Sequence, residues 1–189
     1  APMLYVNGAA GNIAPIYSVY DTPRAGHLAE FNVLLGDRIL SALSAMGPAT
    51  PRVTLRASET IVETPRKDGL DWTQELARYG RIDAAGAPLV RLPLRFLEIN
   101  DTLIWGGPVE MFCEIAIAVR EKSPFSHTFF FGYTNGWLGY LPTKTGFAEG
   151  GYEPRTSPFT DRVERDVTDA AILKAQSAAR ASAARARTP

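Results

Sequence analysis

Two strand-like runs separated by a two-residue turn constrain the fold of this chain more than any other feature. Leu89–Ile99 and Thr102–Trp105 are rich in large apolar residues, and Asn100-Asp101 lies between them. Asn and Asp accept the backbone conformations of tight turns, so the pattern predicts a β-hairpin. Residues 52–63 alternate in polarity and are rich in Thr and Val, which predicts a further strand. The chain is therefore expected to contain a β-sheet.

Helical patterns occur on both sides of these strands. One begins at Pro23 and runs to about Met46, and another has Pro108 at its first position and ends at Lys122. The last begins near Thr160, is amphipathic at first, and passes into Ala/Arg repetition that is expected to fray. In the first helix the apolar residues recur every three or four positions, which predicts a buried face. These residues are Leu28, Phe31, Leu34, Leu35, Ile39 and Leu43.

The loose alternation of strands and helices predicts an α/β or mixed α+β fold, with β-sheets flanked by helices. Residues 3–6 are predicted to form a short strand, and a short helix is expected around Trp72–Tyr79. A length of 189 residues suits one domain or a large piece of a bigger one. The chain enters a predicted strand at once, without an initiator Met or a signal peptide, so we interpret it as a processed chain or an excised segment.

Composition narrows the classes of function. Hydrophobic residues make up 46% of the chain and charged residues 21%, which is typical of a globular protein. Twenty basic and 20 acidic residues balance, so no overall field favours nucleic acid. No apolar run approaches the roughly 20 residues of a transmembrane segment. Cys113 is the single cysteine and there are two histidines, so a zinc site made wholly from this chain would lack its commonest ligand.

Residues 132–143, GYTNGWLGYLPT, combine glycines with large aromatic side chains. With Tyr152 they place four rings with a polar group close together in the sequence: Tyr133, Trp137, Tyr140 and Tyr152. These rings either pack beneath a loop or line a pocket, since buried hydroxyls need partners. Tyr can also bind a metal or donate to a developing oxyanion. Phe and Trp side chains of residues 129–137 are further candidates to line such a pocket.

Two other stretches are candidates for chemistry. The small residues of Asn7–Asn12 form either a plain tight turn or a backbone that approaches a ligand, although neither a phosphate loop nor a dinucleotide fingerprint is present. Glu110 is predicted in the first turn of a helix, where it either complements the helix dipole or serves as a metal ligand or general base. Glu114 is interpreted as a solvated or paired surface charge, and Cys113 as a core residue.

Taken in order, these stretches resemble the neutral/alkaline, non-lysosomal ceramidase family, specifically the later half of its zinc-dependent amidase domain. The resemblance covers roughly residues 3–175 and is most specific in the aromatic block. The chain is similar to the shorter bacterial ceramidase-like proteins, which lack the C-terminal immunoglobulin-like domain of the family. The blocks that carry it are NGAAGNIAP at 7–15, LGDRIL at 35–40, GPVE at 107–110, GYTNGWLGYLPT at 132–143 and EGGYE at 149–153.

The resemblance implies a layered zinc-hydrolase domain of which residues 1–175 are the C-terminal portion, followed by an Ala/Arg-rich tail at 176–189. The family's zinc is held by two histidines, a glutamate and a tyrosine; the last two correspond to Glu110 and Tyr140. Tyr152 corresponds to a second active-site tyrosine that helps to polarise the amide carbonyl. Neither His27 nor His127 matches a histidine ligand, so the resemblance implies that an upstream region or companion chain supplies both, together with the acid/base residue.

The loop at Asn12 departs from the family at one position. The family's Gly-Asn-x-Ser-Pro has an active-site serine, and here Ala14 replaces it. Alanine cannot hydrogen-bond a substrate hydroxyl, whereas hydrolysis by an activated water does not require the serine. The resemblance therefore implies a Zn²⁺-dependent hydrolase of an amide bond, in ceramide or another N-acyl lipid, and a secreted, periplasmic or membrane-surface location. The alternative is a non-catalytic ceramidase-like binding or structural module.

Overall fold

The structure, a computed structural model, describes residues 4–15 and 28–186. Its contacts separate two units, one formed by the described residues up to Ile13 and from Thr54 onward, the other by those between Ala14 and Val53. The strands are β1 (Leu55–Pro65), β2 (Gly80–Ile82), β3 (Pro88–Ile99), β4 (Thr102–Gly106), β5 (Glu110–Met111), β6 (His127–Phe131) and β7 (Tyr140–Leu141). The helices are α1 (Leu28–Ser44), α2 (Cys113–Lys122), α3 (Lys144–Glu149), α4 (Tyr152–Thr156) and α5 (Val163–Ala186). This mixed sheet flanked by helices confirms the predicted fold class.

The main sheet has the order β1-β3-β4-β6, and β2 also pairs with β3. β1 and β3 are antiparallel along their length, from Leu55 opposite Ile99 to Pro65 opposite Leu89. β3 and β4 form the predicted hairpin, and Asn100 takes a left-handed conformation at its turn (φ 54°). β4 and β6 are parallel, which requires the crossover that α2 provides.

The core lies on one face of this sheet. Alternate residues of β3 point into it. Helix α5, which packs against β1 and α2, contributes a row of buried residues spaced four apart. Trp105 on β4 is at its centre, with the ring of Phe130 edge-on at 4.7 Å. The fully buried residues are Val90, Leu92 and Leu94 on β3, and Val163, Val167, Ala171 and Ala175 on α5.

Helix α5 continues without a break to Ala186, so the Ala/Arg segment that was expected to fray is helical in its described part. Ser182 donates a hydrogen bond to the buried carboxylate of Glu98 (3.2 Å) and accepts one from Arg56. Arg56 also pairs with Glu98 at 3.5 Å. The end of the helix is therefore attached to the sheet by polar contacts that a composition argument does not reveal. A domain boundary at residue 175 stays a prediction.

The first predicted helix is present as α1, although residues 23–27 lie outside the described part of the chain. The prediction that its apolar face is buried is wrong within the described residues. Leu34, Leu35 and Leu43 are each more than half exposed. The periodicity correctly indicated a helix, but burial also requires a packing partner, and no described residue supplies one for these three side chains.

Three smaller expectations were also wrong. Residues 4–6 form no strand, and the helix expected around residues 72–79 is reduced to a single 3-10 turn at Ala77–Tyr79. Helix α2 begins at Cys113 rather than at Pro108, so Glu110 lies in a strand and not in a first helical turn. Among the described residues, no helix has the length and hydrophobicity that crossing a membrane requires.

Candidate functional site

Glu110 and Tyr140 are direct neighbours in a small parallel ribbon formed by β5 and β7. The Glu110 N–H donates to the Gly139 carbonyl at 2.9 Å, which fixes the register. The next pair in register, Met111 and Leu141, is fully buried. Because successive side chains of a strand point to opposite faces, Glu110 and Tyr140 share the other face. The structure thus brings together the two residues that the sequence suggested as metal ligands.

The glycine-rich aromatic loop is fixed to the segment before Glu110 by backbone hydrogen bonds. The N–H groups of Tyr133, Thr134 and Leu138 donate to the carbonyls of residues 109, 107 and 108, at 3.3, 2.9 and 2.6 Å. These bonds use carbonyls that a helix starting at Pro108 would need for its own first turns. The loop therefore determines that the chain is extended at Glu110, and it positions three aromatic rings around the carboxylate.

Trp137 supplies a hydrogen-bond donor for Glu110, since its Nε1 donates to Glu110 Oε1 at 2.9 Å. Tyr133 and Tyr140 lie close enough to this carboxylate for it to act on both hydroxyls. Burial raises the pKa of both tyrosines above the ordinary value, and the Glu110 carboxylate raises it further. No ion pair among the described residues involves Glu110.

Tyr133 has a left-handed backbone (φ 55°), which is a strained conformation for a bulky residue. The backbone bonds of the loop maintain this conformation, and the Tyr133 side chain lies near Glu110. Sequence reasoning assigned no role to Tyr133 or Trp137 beyond a possible pocket lining. The signal available was their position between glycines in a loop with far more aromatic rings than a turn requires.

Tyr152 is the first residue of α4, and its ring lies edge-on to that of Tyr140 with centroids 6.0 Å apart. Two residues with positive φ precede it, Gly150 (78°) and Gly151 (112°), and an L side chain would be strained at either. This turn positions Tyr152 beside Tyr140, with 57% of its surface exposed. The third predicted site residue therefore lies next to the first two.

A cavity of about 480 Å³ opens beside these tyrosines. Trp137 lines it, whereas Phe129, Phe130 and Phe131 line other depressions. The expected contribution of residues 129–137 to a pocket next to Tyr140 is therefore restricted to the tryptophan. The aromatic and charged side chains of the wall are Asp71, Trp72, Trp137, Tyr140 and Tyr152.

The Asn7–Asn12 loop packs against the same ribbon. The Gly11 N–H donates to the Met111 carbonyl at 2.8 Å. The Asn12 side chain accepts from the Cys113 N–H (2.9 Å) and donates to both oxygens of Glu114 (2.9 and 2.8 Å). Asn12 thus satisfies a free N–H at the start of α2, and Glu114 is a paired surface charge as predicted. Ala14 is exposed and belongs to the other unit.

Cys113 gives a test of this arrangement. Burial raises the pKa of its thiol, and the charge of Glu114 raises it further. Since the thiolate is the reactive form, alkylation by iodoacetamide should be slower than for an unstructured cysteine near pH 8. Glu114→Gln should speed the reaction and move its pH profile to lower pH, whereas Glu121→Gln, on the exposed side of α2, should not. Equal profiles for the two variants would contradict the assignment.

The residues present could bind a metal ion only together with further ligands. Glu110 and Tyr140 offer a carboxylate and a phenol oxygen on one face, which suit zinc. No group of three or more His, Cys, Asp or Glu among the described residues could hold a metal ion. His127 lies on β6 opposite Thr102, with its ring stacked on Phe129 at 6.5 Å. His27 lies outside the described residues.

The fold resembles that of part of a solved neutral ceramidase. The neutral ceramidase from Pseudomonas aeruginosa superposes with a TM-score of 0.52 at 15% sequence identity, over 81% of this chain and 34% of that one. A ceramidase complexed with C2 gives a TM-score of 0.41 at 21% identity, over 56% of this chain and 19% of that one. The chain thus spans about a third of the Pseudomonas protein, which fits part of a larger domain. No protein-family model matches the sequence, and no curated protein matches it significantly.

Proposed function

We propose that this chain is part of a zinc-dependent amide hydrolase of the ceramidase type. Glu110 and Tyr140 would be two of the metal ligands, and Tyr152 would donate a hydrogen bond to the carbonyl oxygen of the substrate. The observation that carries the proposal is the pairing of Glu110 with Tyr140 in the β5–β7 ribbon, with Tyr152 edge-on to Tyr140. The fold likeness to a neutral ceramidase supports it.

The electrostatics of the pair favour a cation. Burial and the charge of Glu110 both oppose ionisation of Tyr140, so a cation beside the pair would favour the state in which both oxygens are anionic. When bound, zinc supplies Lewis-acid polarisation of a carbonyl and activates water at neutral pH. Trp137 holds the carboxylate in place by a hydrogen bond to it, in the manner of an outer-shell partner at metal sites.

The remaining parts belong to a companion region. Zinc in catalytic sites usually has three protein ligands, so at least one more is required, and the resemblance assigns two histidines to an upstream segment or a separate chain. The substrate is an amide of the N-acyl lipid type, such as ceramide. Ala14 removes the serine hydroxyl that would contact a polar head group, so this chain should discriminate poorly between head groups. A secreted, periplasmic or membrane-surface location is part of the same proposal.

Metal titration tests the ligand assignment. With Co²⁺ or Zn²⁺ followed by calorimetry, the complete protein, including the region that supplies the remaining ligands, should bind one equivalent. Glu110→Gln or Tyr140→Phe should weaken binding at least about tenfold, because even the loss of an outer-shell partner typically costs 10–100-fold. Glu114→Gln is the matched control, since it neutralises a carboxylate four residues away and keeps an oxygen for Asn12. Equal affinity in all variants would reject Glu110 and Tyr140 as ligands.

A non-catalytic ceramidase-like binding or structural module is the second candidate. Ala14 and the two-ligand set of the described residues favour it. The metal titration distinguishes the two candidate functions. Binding that is insensitive to Glu110→Gln and Tyr140→Phe favours the module, whereas sensitive binding favours the hydrolase.

A further inference from the structure

The cavity beside Tyr140 and Tyr152 has walls of an unusual composition. Four of its side chains are the aromatic rings of Trp72, Trp137, Tyr140 and Tyr152, and Asp71 contributes a carboxylate. No Lys, Arg or His among the described residues lines it. Its volume of about 480 Å³ lies in the range of small-molecule sites. The cavity is thus rich in aromatic surface and negative in charge.

Aromatic faces attract cations through the ring quadrupole, by about 0.5–2 kcal/mol depending on exposure. The protein already shows such a contact at this wall: the guanidinium carbon of Arg66 lies 5.0 Å from the centroid of the Trp72 ring. Asp71 adds a carboxylate to the same wall. A positively charged ligand group would therefore be favoured over a neutral group of the same shape.

We propose that this cavity binds an alkylammonium group, the form in which the amine half of a hydrolysed amide leaves. In that reaction the C–N bond breaks and the water oxygen bonds to the carbonyl carbon. Both protons of the water end on the nitrogen, so the products are a carboxylate and an ammonium. The biological meaning of the site rests on the proposed function, because Tyr140 and Tyr152 belong to both the cavity and the candidate centre. The inference that the ligand is a cation rests only on the side chains that line the cavity.

The main competing occupant is the hydrocarbon chain of the acyl half, since Leu70, Leu76 and Leu138 also line the cavity. The size of the ligand cannot distinguish an ammonium site from a hydrocarbon site, but the charge of the ligand can. Choline and 3,3-dimethylbutan-1-ol have nearly the same shape, and only choline is a cation. A hydrocarbon site would prefer the alcohol or bind both equally, whereas the proposed site prefers choline.

The test is a titration of the full 189-residue chain with each probe, followed by tryptophan fluorescence and calorimetry in the presence of a chelator. Choline should bind about tenfold more tightly than the alcohol, which corresponds to about 1.4 kcal/mol. Asp71→Asn should reduce this preference severalfold and leave the alcohol unaffected. Asp68→Asn is the matched control, because Asp68 is exposed and does not line the cavity. Trp137→Leu should also weaken choline binding, because it removes one of the four aromatic rings of the cavity.

Equal binding of the two probes, or binding of neither, would overturn the proposal. An unchanged preference in Asp71→Asn would do so as well, because the carboxylate is part of the argument. The chelator keeps this result independent of the metal titration. If the chain prefers choline but no metal binds through Glu110, the ammonium site stands and the proposed hydrolase function is rejected. If metal binds through Glu110 but choline is not preferred, the hydrolase function stands and the ammonium site is rejected.

Discussion

Gly106→Ala is expected to destabilise the chain by about 3 kcal/mol, at the upper end of the usual cost of overpacking. A Cβ at this position would lie 2.5 Å from the carbonyl oxygen of Phe131 and would overlap the Thr134 hydroxyl. That hydroxyl donates to the same carbonyl at 2.8 Å, so moving either group away from the Cβ would break the hydrogen bond between them. The backbone must therefore separate where β4, β6 and the aromatic loop meet.

The neighbouring glycine is the control for Gly106→Ala. At Gly107 a Cβ would first meet a terminal methyl of Leu94 at 3.3 Å, and such a flexible side chain can adjust. Urea unfolding should show a clear fall in midpoint for Gly106→Ala and a small one for Gly107→Ala. A fall of about 3 kcal/mol corresponds to about 6–12 °C in Tm for a chain of this size. Equal midpoints would mean that the loop is not locked against β4.

Gly106→Ala also has a functional readout. The same loop places the Trp137 N–H on Glu110, so its displacement should weaken metal binding even in molecules that stay folded. Gly107→Ala should retain that binding. The pair of variants therefore separates the stability of the sheet from the geometry of the candidate centre.

The sheet could be predicted from the sequence because its signals are local. The alternation in residues 52–63 and the Asn100-Asp101 turn specify β1 and the β3–β4 hairpin without reference to anything distant. Helices α1 and α5 follow from their periodicity and composition in the same way. What the pattern could not predict is the environment of each helix, as the exposed leucines of α1 and the polar attachment of α5 at Ser182 show.

The conformation at Glu110 could not be predicted because its cause is distant in the chain. Pro108 and an apolar periodicity favour a helix locally, but residues 133–139 bond to the backbone there. Long-range pairing overrides local propensity in this region, as it commonly does. The ribbon nevertheless places side by side Glu110 and Tyr140, which the resemblance identified by motif and not by secondary structure. The hydrogen bond from Trp137 to Glu110 could be seen only from the loop geometry.

Gly11→Ala is the second substitution expected to have a large effect, because it acts on the ribbon from the opposite side. A Cβ on Gly11 would lie 2.9 Å from the carbonyl carbons of Glu110 and Met111 and would overlap the Glu110 oxygen. The loop would have to retreat, which would break the Gly11–Met111 bond and the contacts of Asn12 with the start of α2. Each hydrogen bond is worth about 1 kcal/mol, so a total loss of about 2–4 kcal/mol is expected.

Gly8→Ala is the matched control for Gly11→Ala, because a Cβ there meets its nearest atom, the Phe130 carbonyl oxygen, at 3.9 Å. Urea unfolding should separate the two variants clearly. Alkylation of Cys113 provides a second, local measure, since its thiol is adjacent to the start of α2 that Asn12 caps. Retreat of the loop exposes the thiol, so Gly11→Ala should react faster than the parent chain and Gly8→Ala at the parent rate. If the two variants unfold and react alike, the loop is not held against Glu110 and the ribbon lacks the support that this side of the candidate centre requires.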